Sequence, residues 1–310
     1  MKKSSHTPVS SPAQLAVRQA NSALDYGVAA LTTAICLLIV VVIAVFAFIG
    51  AISQDVPGYY GGETPLDQFF GSVFVWGLGA VFILIIILVT TRMMRQMYLG
   101  NALQVEYSDY AWLRDWSNKV AEDLQMPRVE IMITQDPVMN AFAFGFAKPY
   151  TIVLNSGSIR WLTHEQLKVI VVHEMAHVKY RHTQIGTYLS VLRSMPVVGG
   201  LFSWILDFWS RRIELTSDRL ALCYLRDKKL VKEALIRVHV GPDVANSFND
   251  IAEQWQVYMT RSGFQSFTQT FSSHPFLVKR LQHLDRMQER YAPTWRPAPE
   301  AETTHHAATQ

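Results

Sequence analysis

His173 and His177 stand four residues apart in His173-Glu174-Met175-Ala176-His177. On a helix that spacing puts both imidazoles on one face, one turn apart, where they can reach a single metal ion. Glu174 follows His173 on the same helix and is placed to act on a metal-bound water rather than to ligate. Zinc lowers the pKa of such a water to about 7, and a neighbouring carboxylate can take its proton as it attacks a carbonyl. The chemistry on offer is metal-assisted hydrolysis. A short motif of this kind also arises by chance, so it needs a third ligand and a fold around it.

The metzincin pattern would require Gly at 180 and His at 183, but Tyr180 and Thr183 stand there, which excludes that class. His182 lies about half a turn around a continuous helix from His173 and reads as a surface histidine. Glu214 is the better candidate, within Arg211-Arg212-Ile213-Glu214-Leu215-Thr216-Ser217-Asp218. It could complete a His-His-Glu set. Asp218, one turn on and on the same face, could accept a hydrogen bond from a ligand imidazole and fix its tautomer. On spacing alone, the same acidic pair also describes a solvated helix face.

The motif needs a helix with a defined start. Thr163 with Gln166 fits a capping box, and an apolar run continues from Leu167. Upstream, residues 107–124 read as a helix and 129–133 alternate like a strand. Residues 141–146 and 150–154 are short apolar runs separated by Ala147-Lys148-Pro149, which predicts a hairpin. Beyond Thr163 nearly all of the chain reads as helical. The expected fold class is α+β: a mainly helical domain over residues 103–290 with a small antiparallel sheet.

Half of the 310 residues are apolar and 17% are charged, so the apolar residues must be located. Residues 26–54 and 69–91 carry no charge at all. Each stretch exceeds the roughly 20 residues that a membrane-crossing helix needs. The reading is a two-helix anchor over residues 26–98, with spans at about 29–51 and 69–91. The first run lacks a cleavable-signal pattern. Lys2, Lys3 and Arg18 precede it, Arg92 and Arg95 follow the second, and the connecting loop has Asp55, Glu63 and Asp67 but no Lys or Arg. Positive flanks stay inside, so the N-terminus and everything after Arg92 are expected on the cytoplasmic side. Residues 1–25 read as a polar, mobile segment and 291–310 as a disordered tail. A net charge of +3 without a basic block argues against nucleic acid as a partner. Cys36 and Cys223 are too isolated to build a disulfide framework or a thiolate zinc site.

With these pieces assembled, the chain resembles the HtpX-like membrane zinc metallopeptidases, relatives of the CAAX prenyl endopeptidases. The resemblance covers roughly residues 30–290. It rests on the paired spans, the His-Glu-x-x-His helix, the Arg211-to-Asp218 stretch, Asn140-Ala141-Phe142 before a Gly-containing hairpin, and Ser273-His274-Pro275 followed by Arg280. It implies a gluzincin-type domain holding one zinc ion on His173, His177 and Glu214, with Glu174 catalytic and Asp218 behind the ligands. It further implies that Asn140, Ala141 and Phe142 bind substrate at a strand edge. His274 would donate to the oxyanion, and Arg280 would pair with an acid near the site. Expected partners are protein or peptide substrates, misfolded membrane proteins in quality control above all, and the bilayer of a bacterial inner membrane. The interval 178–213 is shorter than the family's usual one. Residues 184–209 are therefore expected as a helical hairpin that packs on the domain or dips into the near leaflet, with Trp204, Phe208 and Trp209 suited to an interface. The competing reading is a catalytically silent membrane scaffold, which would usually show a damaged motif. Here Glu174 and all of the candidate ligands are intact.

Overall fold

The computed structural model describes residues 11–53, 65–194, 196–260 and 275–295. Helix α1 (Pro12–Ala20) starts at a reciprocal cap: the Ser11 hydroxyl accepts from the Gln14 amide, and the Gln14 side chain accepts from the Ser11 amide. Its Ala16 and Ala20 are buried, so from Pro12 onward the segment expected to be mobile is a docked helix. Helices α2 (Ala23–Ser53) and α3 (Pro65–Asn101) follow, with 31 and 37 residues. Among the described residues one stretch, Gly77–Asn101, is long and apolar enough to cross a membrane by length and composition, and Ala23–Ile35 is a shorter apolar helix. On α3, Phe82, Leu84 and Ile85 point outward, the reverse of a helix that buries an apolar stripe in its own domain.

Strand β1 (Leu103–Gln104), helix α4 (Ala111–Asp123) and strands β2 (Val129–Thr134), β3 (Ala141–Phe144) and β4 (Tyr150–Asn155) come next. Helix α4 begins after a 3-10 turn at Val105–Tyr107, later than the periodicity suggests. The four-stranded sheet has the order β1-β2-β4-β3. β3 and β4 form the expected antiparallel hairpin, with Phe142 opposite Val153. β2 and β4, however, run parallel, with Ile131 opposite Ile152, so the sheet is mixed and not antiparallel. The reason lies in β4, which is buried at every position. A strand covered on both faces belongs in the middle of a sheet, and the chain reaches it only after laying β3 at the edge. The hairpin turn uses Gly145 at φ +132, where an added Cβ would come within 3.2 Å of the Tyr150 Cα.

The rest is helical: α5 (Ser156–Trp161), α6 (His164–Lys179), α7 (His182–Ser194), α8 (Pro196–Leu225), α9 (Lys228–Val240), α10 (Pro242–Ala245), α11 (Asp250–Met259) and α12 (Leu277–Tyr291). Thr163 and Gln166 cap α6 as predicted. That helix is the spine of the core. Its Leu167, Val171, Val172 and Met175 lie fully inside, packed among residues of the sheet, α4, α8, α9 and α12.

A smaller cluster joins Val28 and Ala29 of α2 to Leu189 of α7 and Leu206, Trp209 and Ile213 of α8. The described part of the 184–209 pair thus packs on the foot of α2, and Arg193 pairs with Asp207 at 2.9 Å across it. Trp204 and Phe208 are exposed, whereas Trp209 is buried and donates its Nε1 hydrogen to the Asp25 carbonyl, so it serves packing and not an interface. The tail also begins later than expected. Ala292–Thr294 make a 3-10 turn, and Trp295 donates to Gln19 of α1.

Candidate metal centre

Helices α6 and α8 cross at the middle of the domain, and their facing sides carry the predicted residues. His173 and His177 project one turn apart from α6, and Glu214 meets them from α8. One donor atom from each of the three lies within 4.8 Å of the others. The two Nε2 atoms are 3.4 Å apart. Glu214 Oε2 is 3.4 Å from His173 Nε2, and Oε1 is 3.6 Å from His177 Nε2. Ligands about 2.0–2.1 Å from a tetrahedral zinc lie about 3.3–3.4 Å from one another, so these separations fit the edges of such a site. Two imidazole nitrogens and one carboxylate thus converge on one point, an arrangement that could hold a metal ion.

Asp218, one turn along α8, brings Oδ1 to 3.0 Å from His173 Nδ1, although off the ideal hydrogen-bond line. Arg280 of α12 grips Asp218 from the other side, Nε donating to Oδ2 at 2.7 Å and Nη2 to Oδ1 at 2.6 Å. Its Nη1 lies 3.2 Å from Glu214 Oε2 and 3.2 Å from His239 Nε2. The sequence reading anticipated an acidic partner for Arg280, and it is Asp218. His239 was missed; a histidine near the end of α9 has no spacing that ties it to α12.

The electrostatics favour a cation at the centre. Burial works against a charge on His173, but the carboxylates of Asp218 and Glu214 outweigh it and raise its pKa to about 10. A metal ion and that proton compete for the same place. Burial lowers His177 to about 4. Burial also pushes Glu174 up to about 7, against the pull of His173 and a hydrogen bond from the Ala143 main chain. Glu214 lies well below the usual carboxylate range: burial raises it, but Arg280 and His173 prevail.

His182 is not the surface residue that the sequence suggests. It is 3% exposed, with Nδ1 3.3 Å from His177 Nδ1. The helical-wheel argument fails because α6 stops at Lys179, Arg181 turns to φ +59, and α7 starts afresh at His182. That reversal points the imidazole back at the site.

Asn140, Ala141 and Phe142 line the same cleft of about 770 Å³ as His173, Glu174 and Glu214. β3 is the edge strand, and its Asn140 carbonyl accepts from Asn155 of the β4 side. Strand alternation then turns the main-chain groups of Ala141 and Ala143 toward the cleft. Phe142 and Phe144 pack instead on Tyr98 of α3, at ring separations of 5.9 and 5.7 Å. His274 lies outside the described residues.

The profile of Peptidase family M48 matches residues 108–288 of this chain. A plastoglobule-localized metallopeptidase 48 of Arabidopsis thaliana is 27% identical over 215 residues, which span 63% of this chain and 62% of that protein. A protease HtpX homolog of Persephonella marina is 25% identical over 64% of this chain and 82% of its own. One from Streptococcus pyogenes is 22% identical over 81% and 95%. The chain thus spans less than two thirds of the plant relative's length. The crystal structure of S. mikatae Ste24p superposes with a TM-score of 0.46 at 16% identity, over 85% of this chain and 67% of that one.

Proposed function

The chain belongs to peptidase family M48, and on that premise we propose that it is a membrane-anchored zinc endopeptidase acting on membrane or membrane-near proteins. The observation that carries the reading is the closure of His173, His177 and Glu214 around one point, their donors within 4.8 Å of one another and spaced as a tetrahedral ion requires. When bound there, zinc supplies a Lewis acid that acidifies water and polarises the scissile carbonyl. Glu174 takes the proton that water releases as it attacks, and hands it to the leaving amine nitrogen. Burial raises its affinity for a proton, which helps it take that one. Asp218 holds His173 in the tautomer that presents Nε2 to the ion, and Arg280 fixes Asp218. The outward main-chain groups of Ala141 and the carbonyl of Ala143, whose N–H is taken by Glu174, pair with an extended peptide, which binds many sequences with little side-chain selectivity.

The flanking charges support a topology with the N-terminus and the protease domain on the cytoplasmic side and α2 and α3 as the spans, and the family likeness suggests a bacterial inner membrane. The substrates suggested by the resemblance are misfolded membrane proteins. His274 is the candidate oxyanion donor on the resemblance of Ser273-His274-Pro275 and Arg280 to the family's late element. The test is casein cleavage by the full chain in detergent. Wild type should cut with one bound zinc, and Glu174→Gln should keep the zinc and lose the activity. A Glu174→Gln protein that cuts as fast as wild type sinks the assignment.

A further inference from the structure

His182 has no task in the hydrolytic scheme, yet its surroundings give it one. It is 3% exposed and wedged between the rings of Tyr180 and Trp209, at centroid distances of 5.8 and 6.1 Å. Its ring crosses that of His177 at 70°, with Nδ1 facing Nδ1 at 3.3 Å. His177 turns Nε2 toward Glu214 and His173. A nitrogen that ligates a metal carries no proton, so the proton of His177 must sit on Nδ1. The acceptor it meets there is His182 Nδ1. The reverse direction, His182 donating, would put the His177 proton on the nitrogen that faces the metal.

Accepting at Nδ1 obliges His182 to carry its own proton on Nε2. That atom is buried and has no hydrogen-bond partner among the described residues. Burying an N–H without an acceptor is unfavourable. A phenyl or aliphatic side chain would fill the wedge without that loss. What only the imidazole offers at this place is the acceptor aimed at His177.

Resting on the zinc reading above, we infer that His182 is a positioning residue of the metal centre: its Nδ1 accepts the His177 Nδ1 hydrogen and fixes the tautomer and ring orientation in which His177 Nε2 meets the ion. It does for His177 what Asp218 does for His173, but without adding negative charge to a cluster that already holds Glu174, Glu214 and Asp218. Its placement depends on the chain reversal at Arg181, which lets α7 begin with its first side chain against the site.

The experiment compares wild type, His182→Phe and His182→Asn as full chains in detergent. Zinc affinity is read by competition with a chromophoric chelator, and the cobalt-substituted proteins by their visible absorption. Phe keeps the ring packing and removes the acceptor, whereas Asn restores an acceptor through Oδ1. Partners behind metal ligands typically contribute about 10–100-fold in affinity, so His182→Phe should bind zinc about 10–100-fold more weakly and show altered cobalt bands. His182→Asn should recover most of the affinity and wild-type-like bands. The inference is overturned if both variants bind zinc within about twofold of wild type, or if both lose affinity equally. Either result leaves the zinc reading standing as long as wild type binds the metal; a wild type that binds none overturns both.

Discussion

Helix α8 has two buried charge networks on opposite faces. Glu214 and Asp218 look into the metal centre. Arg212 and Thr216, each roughly 200° around from its neighbour two residues on, look at α2. There they hold Asp25, Arg212 Nε at 2.9 Å and Thr216 Oγ1 at 2.5 Å. Asp25 is 2% exposed and Asp218 1%, so two equally buried carboxylates are each held by one arginine. The difference is what stands behind them. Asp218 lies 3.0 Å from the His173 imidazole and accepts from Nε and Nη2 of Arg280. Among the described residues Asp25 meets Arg212, Thr216 and Trp209, which fasten α2 to the domain, Ser22 joining through Arg212. The same kind of pair thus stands behind the proposed metal centre on one face and fastens α2 on the other.

The largest effect should come from the inner face. Glu214→Ala removes the proposed third ligand and should leave protein without tightly held zinc and without measurable cleavage. Next, Arg280→Met leaves the buried Asp218 and Glu214 charges without their cation. It should destabilise the metal-free protein by about 3–5 kcal/mol in urea unfolding. On the outer face, Asp25→Asn keeps a hydrogen-bonding group and loses the charge, so its unfolding penalty should be about 1–3 kcal/mol. Zinc affinity should stay unchanged in that variant; a large drop would mean that the two faces of α8 are one network and break the contrast. The smallest effect belongs to Arg95→Ala. This pair with Glu130 ties α3 to β2 at 2.7 Å, but its side chains are 20% and 39% exposed. Pairs that face water contribute about 0–1 kcal/mol, and thermal unfolding should move little.

The inner face was legible in the sequence and the outer one was not. His173, Glu174 and His177 announce themselves because ligation needs one helical turn, and Glu214 with Asp218 repeats that interval. The Thr163 cap is equally local. Asp25 and Arg212 are 187 residues apart, and nothing in the spacing of either says they meet. His182 was misplaced because a left-handed Arg181 carries no signature in its side chain; a glycine there would have warned of the break. The parallel pairing of β2 and β4 did leave a trace. Residues 150–154 form an apolar run broken only by Thr151 and ending in Ile152-Val153-Leu154, rather than an alternating one, as a strand buried on both faces requires. The docking of α1 was missed although its signal is local: Ser11 and Gln14 repeat the capping-box spacing of Thr163 and Gln166, and Ala13, Ala16, Val17 and Ala20 form an apolar face.

The central claim is that His173, His177 and Glu214 hold a catalytic zinc, and zinc K-edge X-ray absorption on the purified full chain tests it most directly. One zinc per chain is expected in the wild type, with first-sphere scattering from two imidazoles and oxygen at about 2.0–2.1 Å and no sulfur. Glu214→Ala should lose most of that metal. A wild type without stoichiometric zinc, or a zinc whose coordination is unchanged by Glu214→Ala, would contradict it.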